Sequence, residues 1–246
     1  MTPELPQHHP AIALATVRHK DGVSILRVFS REHGVIGCLV REGVKGGRRA
    51  RKLHAPLSLL DLVGLRPLKD ELHRFDRADR VMPQDRTTAE VPRGAVAMFL
   101  AEFVLRTLES GMPHAELFDA LWRAAGRLEH ESGIGRQHLA FLVEAVGVMG
   151  LKPDAAVKAP CGMGRFNLAT AEWESGPTLG EDYLSVEDGE TFLRIQGMEF
   201  DGLRAEALQH DARNQLVLQY VHYLQLHLSS PRTLRSWEVL SAVLAP

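Results

Sequence analysis

The sequence predicts an α+β fold, with strands in about the first 80 residues and helices dominating the rest. Three observations carry this reading. β-Branched and apolar residues alternate in short runs up to residue 75, and Gly, Pro and Asp punctuate those runs closely. From Pro92 onward, apolar residues instead recur at spacings of three and four.

The first run, Ala11 to Arg18, alternates Ile12 and Leu14 with small residues, and the second, Val23 to Phe29, reads V-S-I-L-R-V-F. Asp21-Gly22 between them has the turn chemistry of a hairpin. His33-Gly34 breaks the chain before a third strand, Val35 to Val40. Leu57 to Leu68 is apolar with Gly64 and Pro67 as breakers, and Leu72 to Phe75 adds a last strand. Five short strands in this space predict a small OB-type β-barrel over residues 1–82, an architecture whose sheet face and loops hold oligonucleotides.

Pro92 suits the first turn of a helix whose stripe is Val96, Phe99, Leu100, Phe103, Val104 and Leu108, with Gly111 beyond its end. Pro113 opens a second helix carrying Leu117, Leu121 and Leu128. Arg136 to Met149 forms a third, closed by Gly150. Residues 83–150 are therefore expected to be a helical bundle. Residues 151–203, rich in Gly, Pro, Glu and Asp, read as a small irregular subdomain. Residues 204–246 return to helix, interrupted at Ser230-Pro231, and are expected to pack on the helical domain.

A chain of 246 residues with 45% hydrophobic residues buries a core, so disorder is excluded. Its two cysteines, Cys38 and Cys161, build neither a disulfide framework nor a four-cysteine zinc site, and they suit a reducing compartment. No signal-like segment precedes Pro10, and Glu102 interrupts the most apolar window, Ala95 to Leu105, so no membrane span is expected.

The net charge of −2 conceals a division. Residues 1–80 hold 15 Lys and Arg against 9 Asp and Glu, a net of +6; the remainder holds 14 against 22, a net of −8. Basic density peaks at Arg41, Lys45, Arg48, Arg49, Arg51 and Lys52, with Glu42 the only acid among them, directly after the third strand. Gly43, Gly46 and Gly47 make this a loop rather than a helix face. Charge runs are commonly just solvated surface. A basic loop on a barrel, however, is suited to following a phosphate chain.

Motifs for catalysis are missing. No Gly-Lys-Ser/Thr follows a glycine-rich loop, and there is no H-E-x-x-H or G-x-S-x-G. His222 and His227, five apart, do not share a helix face, and His8-His9 are assigned to a frayed terminus with solvent or structural roles. Binding rather than catalysis is the expectation, with no cofactor. Phe29 and Phe75 are the only aromatics before residue 81, so phosphate electrostatics should outweigh base stacking.

Several segments, in order, resemble one family. They are the alternating strand Ala11 to Val17, V-S-I-L-R-V-F-S-R-E-H-G from Val23 to Gly34, and K-G-G-R-R-A-R-K from Lys45 to Lys52. Downstream come F-L-A-E-F at Phe99 to Phe103 and L-A-F-L-V-E-A-V-G-V-M-G from Leu139 to Gly150, with Pro153 after it. Tyr220 to Leu228 and L-R-S-W-E-V-L from Leu234 to Leu240 complete the set. Together they resemble the bacterial DNA repair protein RecO family over nearly the whole chain.

The resemblance implies a non-enzymatic recombination mediator of the cytoplasm and nucleoid. Such a protein binds single- and double-stranded DNA, anneals complementary strands, contacts the acidic tail of single-stranded DNA-binding protein (SSB), and works with RecR to load RecA. It directs attention to the helical domain for the SSB tail, where Arg106, Arg123 and Arg127 are candidates. Many relatives hold zinc through two C-x-x-C pairs; here Gly164 stands at the partner position of Cys161 and no second pair exists, so no metal is expected. The competing expectation is an OB-fold adaptor that binds RNA through the same loop.

Overall fold

The structure is a computed structural model, and it describes residues 7–20, 22–41, 55–69, 71–154, 159, 164–177, 180–228 and 233–245. The chain forms two compact units. The first comprises Met1–Ile134 with Leu234–Leu244, the second Gly135–Thr233 with Ala245–Pro246.

The first unit is built on a sheet of seven strands: β1 (His8–Lys20), β2 (Val23–Ser30), β3 (Gly34–Arg41), β4 (Leu59–Val63), β5 (Arg66–Pro67), β6 (Leu72–Arg74) and β7 (Arg77–Arg80). Their spatial order is β5-β6-β3-β2-β1-β4-β7, antiparallel except where β6 joins β3. The long β1 pairs with β2 from Ala11 to Lys20 and with β4 from His8 to Ile12. Its register shifts after Ala13 and again after Arg18. Such irregularities bend a strand and increase its twist, which curls the sheet around its inner face.

That inner face follows from period-two alternation. Ala11 and Ala13, Leu26 and Val28, Ile36 and Cys38, and Leu60 and Leu62 form one buried cluster, with Val40, Leu65, Phe75 and Ala78 packed against it. Burial pushes the Cys38 thiol up to about 12, so it remains protonated. The opposite face is covered by helices. Phe29 is fully buried there and meets Phe118 edge-on at 5.5 Å, so it is core and not a stacking platform.

Two strand expectations change. Leu57 to Leu68 resolves into β4 and β5, and β7 joins the edge of the sheet through Arg77-Ala78-Asp79-Arg80, a sequence without an alternating apolar signal. β1 also begins earlier than the apolar pattern does. His9 lies within this strand and is only 7% exposed, so the frayed-terminus assignment does not hold for it. Pairing with β4, invisible in local sequence, orders it.

The helices of this unit are α1 (Asp85–Ala89), α2 (Val91–Thr107), α3 (Ala115–His130) and, from the end of the chain, α8 (Ser236–Val243). Pro92 occupies the first turn of α2, where its missing N–H costs nothing, and Val96, Phe99, Leu100, Phe103 and Val104 are all buried. Arg93, also buried, donates to the Leu128 carbonyl, to that of Glu131 at 2.9 Å and to the Glu90 carboxylate at 2.7 Å, tying α2 to the end of α3. Glu129 accepts from the backbone N–H groups of Arg86 and Thr87 and from the Thr87 hydroxyl. Burial alone would raise its pKa, but those donors outweigh burial and hold the carboxyl below its usual range.

The second unit contains α4 (Gln137–Val148), β8 (Gly164–Asn167), β9 (Glu172–Ser175), β10 (Tyr183–Leu184), α5 (Val186–Gln196), α6 (Phe200–Ala205) and α7 (His210–His227). Residues 151–203, expected to be irregular, thus carry a three-stranded antiparallel sheet in the order β10-β8-β9 and two helices. Strands of two to four residues are too short to show alternation. An aromatic cluster knits the unit: Phe192 stacks on Tyr220 at 4.3 Å, and Phe166 meets Trp173 edge-on at 5.2 Å. The buried hydroxyl of Tyr220 donates to the Phe192 carbonyl and that of Tyr223 to Leu151. Cys161 lies outside the described residues.

Candidate nucleic-acid interface

At one end of the barrel, β1, β2 and β3 run out together. The register places Lys20 opposite Val23, and Val23 opposite Arg41, so Lys20 and Arg41 share a face on either side of β2. Two strand spacings separate them, about 10 Å. Arg18, opposite Ser24, stands on the same strand end but on the other face of the sheet. All three cations are exposed, and none forms an ion pair among the described residues.

Among the described residues of the barrel, three other arginines form ion pairs. Arg31 makes a bidentate pair with Asp119, both contacts 3.0 Å, while Arg66 pairs with Asp76 and Arg77 with Asp79. The strand ends bearing Arg18, Lys20 and Arg41 are where the chain enters the basic segment. Of the six predicted phosphate contacts, Arg41 closes β3, whereas Lys45, Arg48, Arg49, Arg51 and Lys52 lie outside the described residues.

A groove of about 530 Å³ lies in the same unit between β1, α2 and the last helix, α8 (Ser236–Val243). Leu14, Met98, Leu105 and Val239 give it apolar walls, and Arg106 and Arg235 line it as well. Glu102 organises one side. It accepts from Arg106 Nε at 2.6 Å, from the Ser236 N–H at 2.7 Å and from the Ser236 hydroxyl, so α8 is fastened to α2 through one carboxylate. Burial would raise its pKa, but these donors prevail and lower it. Arg123 and Arg127 occupy α3 and do not line this groove.

Comparison with known sequences divides the chain where the strands of the N-terminal sheet give way to helices. Residues 5–83 match the family model described as "Recombination protein O N terminal", and residues 90–237 match "Recombination protein O C terminal". The chain belongs to the RecO family. A protein named DNA repair protein RecO from Porphyromonas gingivalis is 27% identical over 239 residues, covering 95% of this chain and 97% of its own. Its namesake from Phocaeicola vulgatus is 26% identical, covering 93% and 95%, and that of Flavobacterium psychrophilum is 21% identical, covering 95% and 97%.

For this RecO-family chain, the sequence singles out Arg41 within the basic run but not Arg18 and Lys20. They sit on a different strand from the basic run, and only the β1–β2–β3 register makes them its neighbours. Arg235 was missed for the same reason, being 129 residues from Arg106. No helix among the described residues is long and apolar enough to cross a membrane.

Proposed function

We propose that this protein is a non-enzymatic recombination mediator of DNA repair that binds single- and double-stranded DNA on its N-terminal barrel and anneals complementary strands. One observation carries the reading: Lys20 and Arg41, without ion pairs among the described residues, share a face where a RecO-family barrel leads into the basic segment ending at Lys52, with Arg18 at the same strand end. Lys45, Arg48, Arg49, Arg51 and Lys52 extend that surface. Annealing requires two polyanions to be held together, and clustered cations do this by replacing their counterions. No covalent step is involved, so annealing proceeds without nucleotide or added metal.

The groove containing Arg106 and Arg235 suits an acidic peptide with an apolar end, which is the chemistry of the SSB tail. Arg123 and Arg127, the other candidates for that tail, lie on α3 outside the groove, and RecR is a further partner. With both partners the protein loads RecA onto SSB-coated gaps in the cytoplasm.

The test is the salt dependence of oligonucleotide binding. About five phosphate contacts on a single strand give a log–log slope of roughly −3 to −4, about a hundredfold loss of affinity between 50 and 200 mM salt. Changing Arg48, Arg49, Arg51 and Lys52 to alanine should reduce that slope by about 3. An unchanged slope refutes the assignment. Equal or tighter binding of RNA, with no capture of SSB or RecR, favours the RNA adaptor instead.

A further inference from the structure

On the barrel, three segments distant in sequence bring imidazoles and a carboxylate together. His9 comes from β1, Glu32 and His33 from the turn between β2 and β3, and His73 from β6. His9 Nδ1 is 2.9 Å from Glu32 Oε2, and His33 Nε2 is 3.9 Å from the same oxygen. One donor atom from each of these three residues lies within 4.8 Å of the others. The His33 ring also faces His9 at 5.7 Å and His73 at 5.9 Å between centroids.

We propose that His9, Glu32 and His33 form a divalent-metal site of zinc type, with His73 beside it as a further nitrogen donor. Two imidazoles and one carboxylate form a ligand set suited to zinc, whose bonds of about 2.0–2.2 Å place neighbouring donors roughly 3.3 Å apart. The observed spacings need only small side-chain rotations to close on an ion.

Two further observations point to a ligand. His73 Nδ1 is buried with no hydrogen-bond partner, although a buried polar atom left unsatisfied is costly. The turn carrying Glu32 and His33 is also fastened on both sides. Arg31 is held by Asp119, and Gly34, at φ +66°, lies so close to the Met112 carbonyl that a Cβ there would sit 2.1 Å from its oxygen. A donor pair on so constrained a turn is positioned before an ion arrives.

A metal here would join the first strand to the β2–β3 turn and to β6. The experiment uses the full-length protein, stripped with chelator and titrated with Zn²⁺ alone, with stoichiometry read by elemental analysis and stability by thermal unfolding. The expected result is one zinc per chain and a Tm rise of roughly 5–10 °C at a hundredfold excess over Kd. His33→Ala and Glu32→Gln should each weaken zinc binding about tenfold or more, whereas Cys161→Ser should leave it unchanged. His33 is partly exposed, so its truncation leaves the fold intact and circular dichroism verifies this. Zinc binding that survives both barrel substitutions, disappears with Cys161→Ser, or never reaches one equivalent overturns the proposal.

Discussion

Gln84 holds together the segment that follows the basic run ending at Lys52 in sequence. It is 1% exposed; its Nε2 donates to the Leu57 carbonyl and its Oε1 accepts from the Leu59 N–H, both at 2.8 Å. Leu57 is buried in the left-handed region at φ 60°, a conformation that persists only when its surroundings enforce it, and its own N–H donates to Ala13 in β1. Replacing Gln84 with leucine keeps most of the volume but strands one carbonyl and one N–H in a dry site. At about 1–3 kcal/mol for each unsatisfied group, the loss should be about 2–5 kcal/mol. For a unit of this size that corresponds to a fall in Tm of roughly 5–15 °C. Urea denaturation measures the loss, and hydrogen exchange should place it in the amides of β1 and β4. Gln84→Ala should behave similarly, since the hydrogen bonds rather than the volume dominate. If Gln84→Leu unfolds within about 0.5 kcal/mol of the parent, the amide does not clamp this segment and the reasoning fails.

Two further outcomes are expected. Gly189 in α5 has no room for a methyl group: a Cβ would meet Trp173 at 2.6 Å and Phe166 at 2.8 Å, so Gly189→Ala should destabilise the second unit by about 1–2 kcal/mol even after a helix-propensity gain of about 1 kcal/mol, as chemical denaturation followed by Trp173 fluorescence will report. Glu129 titrates below its usual range when folded, so its contribution is present above the unfolded value near pH 4.3 and lost as pH falls through the lower folded one; Glu129→Gln should be less stable at neutral pH and should lose less stability than the parent between pH 5 and 3 in denaturation curves.

Local chemistry made much of this fold legible in the sequence. Val23 to Phe29 alternates over enough residues to declare a strand, and the stripe from Val96 to Val104 with Pro92 at its head declares α2, because each signal is complete within one element. Pairing information is different in kind. Nothing in His8-His9-Pro10 announces that β4 will order it, and nothing near Arg18 or Lys20 says that Arg41 will stand two strands away. The same limit hid the groove, whose arginines come from α2 and the turn before α8, and the cluster of His9, His33 and His73. Short strands such as Tyr183–Leu184 were unreadable because two residues carry no period.

The path of the chain has a temporal consequence. It leaves the first unit at Ile134 and returns only at Leu234, so α8 emerges from the ribosome more than a hundred residues after α2. Until then, Glu102 lacks the Ser236 donors and Phe99 lacks the Trp237 ring that lies 6.0 Å from it. The first unit therefore cannot finish folding until residues 234–243 have emerged. A nascent chain interrupted before residue 236 carries an open apolar wall along α2, a feature that chaperones and proteases recognise, whereas a chain that has reached α8 seals that wall with its own last helix.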